Sequence, residues 1–153
     1  MIIFLTETPL LKESEKLSWY YDQINTLIEE LNDRSIPEEV AKTISLKIRD
    51  MNQFSGSARQ LKSLANKNIH FIIRLLEKEL DLVNKNHYRN LWMALGMSVF
   101  GLPLGAAFGL AIGNLAFLGI GLPIGMLIGL AIGTQKDKKA AEEGKQLKFE
   151  LKS

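Results

Sequence analysis

The stretch that decides the fold is "GLPLGAAFGLAIG" at Gly101–Gly113, together with its near copy "GLPIGMLIGLAIG" at Gly121–Gly133. Nine of the thirteen positions are identical, including all four glycines and the proline, at an offset of twenty residues. Glycine and proline are the poorest helix formers in water. The repeat nevertheless lies inside Leu91–Gly133, a stretch without a single charged residue, which points away from an ordinary soluble helix.

This uncharged stretch is long enough to cross a bilayer twice. Its 43 residues would form a helix of roughly 65 Å, twice the ~30 Å thickness of the hydrocarbon core. The sequence "GNLAF" at Gly113–Phe117 offers turn chemistry between the two copies. We therefore predict a tight hairpin of two transmembrane helices, over residues 91–112 and 115–133. The alternative is a buried hairpin, for which ninety charge-balanced residues would have to cover the apolar ones.

The residues that flank the uncharged stretch predict its orientation. Basic residues precede the first span and follow the second, whereas the connecting loop carries no charge. By the positive-inside rule, both termini are expected in the cytoplasm, and aromatic residues at the first crossing are typical of the headgroup region. The basic side chains would also attract anionic lipid. The residues predicted to anchor the hairpin at the headgroups are Lys85, Tyr88, Arg89, Trp92, Lys136, Lys138 and Lys139.

The glycines recur at every fourth position, which is a known packing pattern of membrane helices. Small residues at this spacing allow two helix backbones to approach closely in lipid, where the hydrophobic effect contributes little to helix association. The pattern leaves open whether the two ridges pack within one hairpin, between chains, or both. The predicted packing residues are Gly101, Gly105, Gly109, Gly113, Gly121, Gly125, Gly129 and Gly133.

Each copy of the repeat also contains a proline, Pro103 in the first and Pro123 in the second. A proline inside a helix removes one backbone hydrogen bond, which membrane helices tolerate when neighbouring groups compensate. The pair predicts either two kinks at similar depth, which would form a hinge or a widened vestibule, or prolines that are simply tolerated.

Residues 1–90 contain 13 basic and 13 acidic residues and are predicted to form a cytoplasmic helical domain. Apolar residues spaced three and four apart predict three amphipathic helices, over residues 14–32, 36–54 and 57–90. Because we recognise no helix breaker before the first span, the third helix is expected to continue into it. The stripes are expected to pack as an antiparallel bundle within the chain, with the long helix also near an oligomer axis.

Residues 134–153 are predicted to form a Lys-rich cytoplasmic tail. Two short segments near the ends, "IIFL" at Ile2–Leu5 and "QLKFELK" at Gln146–Lys152, have an extended pattern. They could pair as a two-stranded patch, and frayed termini are the simpler alternative.

The sequence offers no group of residues that suggests catalysis. There is no cysteine, and the two histidines, His70 and His87, lack metal-ligand spacing. The predicted spans contain no ionisable side chain, and the glycine-rich repeat lacks the Lys-Ser/Thr end of a phosphate-binding loop. We therefore predict no enzyme activity, cofactor or metal. The net charge of +2 is too small and too evenly mixed to predict nucleic-acid binding.

With its doubled glycine repeat and the following "TQKDKKAAEEGKQL" at Thr134–Leu147, the region 86–147 resembles the small bacterial glycine-zipper family membrane proteins. The resemblance implies a bacterial inner-membrane protein. It implies no defined reaction, because the grouping rests on a packing motif.

The sequence as a whole predicts an all-α membrane protein, with a cytoplasmic bundle followed by a two-helix transmembrane hairpin. The first expected function is a homo-oligomeric assembly joined through the glycine ridges, acting as a channel, pore or membrane-perturbing effector under control of the cytoplasmic helices. The alternative is a passive anchor or scaffold whose bundle binds a cytoplasmic protein partner. The expected partners are thus membrane lipids, further copies of the chain and, for the scaffold, that protein.

Overall fold

The computed structural model describes residues 1–114 and 118–148, and the prediction of an all-helical fold is confirmed over these residues, which form no strand. The chain divides into two compact units. The first unit contains Met1–Asn84 and the segment that begins at Leu147, and the second unit is Lys85–Gln146.

Three amphipathic helices build the first unit. They are α1 (Glu15–Asp33), α2 (Glu38–Asn52) and α3 (Ala58–Leu80), preceded by a 3₁₀ helix at Pro9–Glu13. The third helix packs against both of the others, because the apolar residues of each helix recur at the three- and four-residue spacing that forms one face. The most deeply buried large side chains of this unit are Ile2, Ile24, Leu27, Ile28, Leu31, Ile44, Ile48, Ile69, Ile72, Leu76 and Leu147.

Serine side chains begin two of these helices. The Ser14 hydroxyl accepts a hydrogen bond from the backbone N–H of Leu17 at 3.4 Å, at the start of α1. Ser57 forms a capping box with Gln60 at the start of α3, in which each side chain bonds to the backbone of the other residue. Both caps satisfy backbone donors that a helix cannot satisfy internally.

The third helix ends at Leu80, so the prediction of a continuous helix over residues 57–90 is wrong. Asp81 adopts a left-handed conformation with φ 53°, and the backbone N–H of Leu82 donates to the carbonyl of Leu76 at 3.2 Å. Asn86 is also left-handed, with φ 62°, and it directly precedes the next helix. Aspartate and asparagine are the side chains that tolerate this conformation best after glycine, so they act here as the helix breakers.

Replacement of Asp81 by valine is expected to destabilise the first unit by about 1–2 kcal/mol, because a β-branched side chain at positive φ is strained. Replacement by glycine should be neutral or slightly stabilising. Urea denaturation followed by circular dichroism would measure both variants. Equal stability of the valine and glycine variants would contradict the left-handed assignment at this position.

The two extended ends do not pair with each other over their described residues. The segment that begins at Ile2 is bound by side chains of the helices, whereas the backbone N–H of Leu147 donates to the carbonyl of Val83 at 2.8 Å. The predicted two-stranded patch is therefore absent from these residues, and the end of its second segment, 149–152, lies outside the described residues.

The second unit is a pair of antiparallel helices. Its first arm is nearly continuous, and its second arm, α6, extends nine residues beyond Gly133, so the predicted tail begins as helix. The start of the predicted second span, residues 115–117, lies outside the described residues. The elements of this unit are α4 (His87–Leu95), a π-helical segment (Gly96–Gly101), α5 (Leu102–Ile112) and α6 (Leu118–Glu142).

Candidate membrane-interaction site

The two copies of the glycine repeat lie against each other inside the second unit. A Cβ atom on Gly101 would lie 3.0 Å from the carbonyl oxygen of Gly121, and one on Gly121 would lie 2.6 Å from the Cα atom of Gly105. A Cβ atom on Gly125 would lie 2.7 Å from the Cα atom of Gly101. The facing atoms are all backbone, so no side chain larger than hydrogen fits at these positions. We call this line of contact the glycine seam.

The seam continues toward the N-terminus of α4. A Cβ atom on Gly129 would lie 2.8 Å from the carbonyl carbon of Trp92, and one on Gly133 would lie 2.6 Å from both the Arg89 Cα atom and the Tyr88 carbonyl oxygen. All four glycines of the second copy therefore face the first arm. Of the first copy, Gly105 and Gly109 are buried as well.

Gly113 has a different position from the other predicted packing residues. No described residue lies within 4 Å of the position that its Cβ atom would occupy. It adopts φ 70° and ends α5, and the backbone N–H of Asn114 donates to the carbonyl of Gly109 at 2.9 Å. This is a glycine C-cap, which needs the left-handed conformation that glycine adopts without strain. The rest of the predicted turn, residues 115–117, lies outside the described residues.

Gly96 belongs to the seam, although the four-residue pattern does not include it. A Cβ atom on Gly96 would lie 2.8 Å from the Cα atom of Gly129. In an α-helix, the five-residue step from Gly96 to Gly101 would turn by about 140° and place the two glycines on different faces. The π-helical segment between them pairs residues five apart, which returns both glycines to the same face.

The prolines lie in different surroundings on the two arms. Pro103 is the second residue after the π-helical segment, in which the Ser98 hydroxyl donates to the carbonyl of Ala94 at 3.0 Å. A proline perturbs the turn that precedes it, so an irregular segment at this position is expected. Pro123 lies inside α6. The predicted pairing of two kinks stays a prediction.

Asp137 occupies the next four-residue step of α6 after the last glycine of the seam. Its carboxylate accepts hydrogen bonds from the backbone N–H groups of Tyr88, at 3.0 Å, and Arg89, at 2.8 Å. The side chain is buried, with 7 % of its surface exposed. It satisfies the unpaired donors at the start of α4, where the helix dipole also favours a negative charge. The carboxylate thus joins the two arms at their open end.

Aromatic and basic side chains surround this end of the hairpin. The Lys136 ammonium group lies 5.9 Å from the centre of the Tyr88 ring and 5.4 Å from the centre of the Trp92 ring. Both distances are within the range of cation–π attraction. The contacts bring together three of the residues that we predicted to anchor the hairpin.

The other predicted anchoring residues lie on the surface of the same unit. Lys85 and Arg89 are exposed. Lys138 and Lys139 form ion pairs with Glu142 and Glu143 at 3.9 and 3.8 Å, and these lysine side chains are more than three-quarters exposed. Exposed pairs of this kind contribute little to stability, so the lysines are accessible for interaction with anionic groups.

The outward faces of both arms are apolar. Among the described residues, one helix, His87–Ile112, is long and apolar enough to cross a membrane, and only 22 % of its most apolar 18-residue stretch is buried. A core helix of a soluble protein would be mostly buried. The large apolar side chains exposed on the two arms are Leu91, Leu95, Val99, Phe100, Leu102, Phe108, Leu110, Ile112, Ile120, Ile124, Leu127 and Ile128.

The histidines lie apart from any cluster of metal-ligating residues that the structure describes. His70 is exposed on α3, and the His87 ring contacts the edge of the Tyr88 ring at 5.0 Å between centres. Within residues 1–114 and 118–148, no group of three or more histidine, cysteine, aspartate or glutamate side chains is placed to hold a metal ion.

Sequence reasoning missed two residues of this site, Gly96 and Asp137. The signal for Asp137 is its position, because it continues the series of every fourth residue that begins at Gly121. Comparison with family models, curated proteins and solved structures finds no match to this chain.

Proposed function

We propose that this chain is a membrane-anchored scaffold, in which the glycine-seamed hairpin inserts into the bilayer and the three-helix unit binds a partner protein. One observation carries the proposal: the hairpin packs its backbones together through glycine and directs its large apolar side chains outward. This is the reverse of a water-soluble helix pair, which buries such side chains between its helices. Lipid is the solvent that favours an apolar exterior of this size.

The lengths of the two arms support two crossings. The helix His87–Ile112 has 26 residues, about 39 Å at 1.5 Å per residue, and covers the ~30 Å hydrocarbon core. The uncharged part of α6, Leu118–Gln135, has 18 residues, about 27 Å. The basic residues at the open end support a cytoplasmic location for that end, in a bacterial inner membrane as the family resemblance implies.

The glycine contacts favour an anchor over a pore. The glycines that would join neighbouring chains in a glycine-zipper assembly lie against one another within a single chain. The arms also contain no ionisable side chain between Trp92 and Ile112, and such side chains are the usual mark of an ion pathway in a membrane. A homo-oligomeric pore stays a prediction, and it would have to assemble through the outer apolar faces.

The full chain is expected to float with liposomes in a density gradient and to resist extraction at alkaline pH, because two spans bury a large apolar surface in lipid. A matched control replaces Lys85–Gln146 with a short Gly/Ser linker, which the close approach of Val83 and Leu147 allows. This variant should remain at the bottom of the gradient. Flotation of the control, or alkaline extraction of the full chain, would contradict the proposal.

Dye-filled liposomes distinguish the anchor from the pore. An anchor should release no more dye than protein-free liposomes at any protein-to-lipid ratio. Release that rises steeply with protein concentration would contradict the anchor and support the oligomeric pore.

A further inference from the structure

The chain holds one of its own segments, Ile2–Thr6, in an extended form on the surface of the three-helix unit. The Asn32 carboxamide pairs with both backbone groups of Ile2, at 2.7 Å from its nitrogen and 3.1 Å from its oxygen. The Asn25 carboxamide pairs with both groups of Leu5 in the same way, at 2.9 and 3.2 Å. Each asparagine thus bonds to one residue as a neighbouring β-strand would.

A third asparagine completes the row. The Asn52 side chain accepts hydrogen bonds from the backbone N–H of Thr6 at 2.8 Å and from its hydroxyl at 3.0 Å. The same carboxamide donates to the carbonyl of Phe4 at 3.0 Å. Three carboxamides from α1 and α2 therefore satisfy most of the backbone of a five-residue segment, without any strand beside it. We call this surface the asparagine groove.

The spacing of the asparagines matches an extended peptide. Asn25 and Asn32 are seven residues apart, which is about 10.5 Å along α1 and nearly two full turns, so both lie on the same face. Ile2 and Leu5 are three residues apart, which is about 10 Å along an extended chain. The spacing of the two asparagines along α1 and the spacing of the two bound residues along the segment therefore agree to about half an ångström. The segment runs antiparallel to α1, because Ile2 bonds to Asn32 and Leu5 to Asn25. Any extended peptide can satisfy this register, because Asn25 and Asn32 form hydrogen bonds only with the backbone of the segment.

Side-chain selectivity comes from two positions of the segment. Ile2 is buried in the core of the unit, with 1 % of its surface exposed, and Leu5 is partly buried. The two residues between them, Ile3 and Phe4, remain 38 % and 48 % exposed. The groove therefore selects apolar side chains at the first and fourth positions of a peptide and leaves the intervening positions free.

The segment does not fill the space beneath it. A cavity of about 50 Å³ lies under this part of the chain, lined among others by Leu5, Leu11, Met51 and Leu61. Cores of folded proteins are close-packed, and voids of this size are few. The space borders Leu5, so the groove has room for a larger apolar side chain at the fourth position.

We propose that the asparagine groove is a binding site for an extended segment of a partner protein, with apolar side chains at its first and fourth positions, and that Ile2–Thr6 occupies the groove in cis until the partner displaces it. Recognition through backbone hydrogen bonds with pockets for selected side chains is an established mode of peptide binding. The proposal rests on the scaffold function, for which it supplies the partner's site. Because only chains with an empty groove can bind the partner, the partner's apparent dissociation constant equals the intrinsic value divided by the fraction of empty grooves.

The test uses the full chain in detergent micelles, so that a failure of membrane insertion does not affect it. The probe is a fluorescent peptide with the chain's own sequence, "MIIFLTET". Fluorescence anisotropy should show binding to a variant that lacks residues 2–7 at least about tenfold tighter than binding to the intact chain. In the deletion background, Asn25→Ala with Asn32→Ala should abolish binding. Gln23→Ala removes a carboxamide of α1 that makes no hydrogen bond among the described residues, and it should leave binding unchanged.

Chemical changes to the peptide test the backbone contacts independently of protein stability. Methylation of the peptide nitrogens at Ile2 and Leu5 removes the donors for the two asparagines and should abolish binding, whereas methylation at Phe4, whose nitrogen neither of these asparagines contacts, should be tolerated. If the deletion variant does not fold, Ile2→Asp in the full chain is the substitute, because a charged side chain at this buried position should release the segment from the groove. Absence of binding by a folded released variant, or equal binding by the intact chain, would overturn the proposal.

A second copy of the chain is the competing occupant of the groove. The natural chain has no cysteine, so one preparation can carry Thr6→Cys and another Asn52→Cys. A disulfide between the two preparations after mixing would show exchange of the segment between copies, which would overturn the assignment of the groove to a different protein. Failure to cross-link after mixing, together with peptide binding, supports it.

Discussion

A single methyl group at Gly125 is expected to force the two arms of the hairpin apart, whereas the same methyl group at Gly119 is not. Alanine is a better helix former than glycine by about 1 kcal/mol, so helix propensity alone would make both changes stabilising. At Gly125, however, the added Cβ atom would lie 2.7 Å from the Cα atom of Gly101, whereas at Gly119 no described residue offers an atom within 4 Å of it. Overpacking costs about 1–3 kcal/mol where side chains can adjust, and more where backbone meets backbone.

The double variant Gly121→Ala with Gly125→Ala should therefore lose about 3–6 kcal/mol of arm–arm stability if the two costs add. Spin labels at Leu102→Cys and Leu127→Cys, which are exposed on opposite arms, would report the separation of the arms by pulsed electron resonance. We expect a narrow distance distribution in the parent and the Gly119→Ala control, and a longer, broader one in the double variant. An unchanged distribution in the double variant would contradict the glycine seam.

Removal of the Asp137 carboxylate is expected to open the base of the hairpin. Asp137→Ala leaves the backbone N–H groups of Tyr88 and Arg89 without their acceptor in a partly buried position. An unsatisfied buried donor costs about 1–3 kcal/mol, so loss of the acceptor for both donors is expected to cost at most about 2–6 kcal/mol. Asp137→Asn keeps one acceptor oxygen but loses the charge that interacts with the helix dipole, and should have an intermediate effect.

Hydrogen exchange of the Tyr88 and Arg89 amides measures this loss directly. Exchange in Asp137→Ala should be faster by about a hundredfold, which corresponds to about 3 kcal/mol. Glu142→Ala removes a carboxylate from the same helix, but one whose side chain is 66 % exposed and forms an ion pair with the exposed Lys138 at 3.9 Å, so it serves as the matched control. If the Tyr88 and Arg89 amides exchanged as slowly in Asp137→Ala as in Glu142→Ala, the capping role of Asp137 would be contradicted.

The regular parts of the fold follow from periodicity in the sequence. The apolar stripe that includes Ile24 and Leu31 predicts the buried face of α1, because residues three and four apart share one face of a helix. The four-residue spacing of Gly121, Gly125 and Gly129 likewise predicts one continuous face of α6. In both cases one helical period is repeated without interruption.

Other parts could not be predicted in this way, because they depend on a departure from the helical period or on a contact between distant residues. Asp81 and Asn86 end and begin helices by adopting positive φ, which polar residues of this type do at only some positions. Gly96 faces the seam only because a π-helical segment replaces the α-helical turn. Asp137 continues the four-residue series of the glycines, but that spacing alone does not indicate that its carboxylate accepts hydrogen bonds from the backbone of the other arm.

The asparagine groove was missed for a similar reason. Asparagine on a helix surface is ordinarily a solvated residue, and the seven-residue spacing of Asn25 and Asn32 gains meaning only beside an extended segment. Tertiary contacts between residues 30 positions apart set this arrangement, and local sequence patterns do not encode them.

Labelling of single cysteines in sealed membrane vesicles tests the central claim, that the hairpin crosses the bilayer twice, most directly. The chain has no natural cysteine, so Asn114→Cys marks the closed end of the hairpin, and Lys85→Cys and Lys139→Cys mark its open end. A membrane-impermeant maleimide should reach Asn114→Cys from one face of the membrane only, and the two lysine positions from the opposite face only. Labelling of all three positions from the same face would contradict the account.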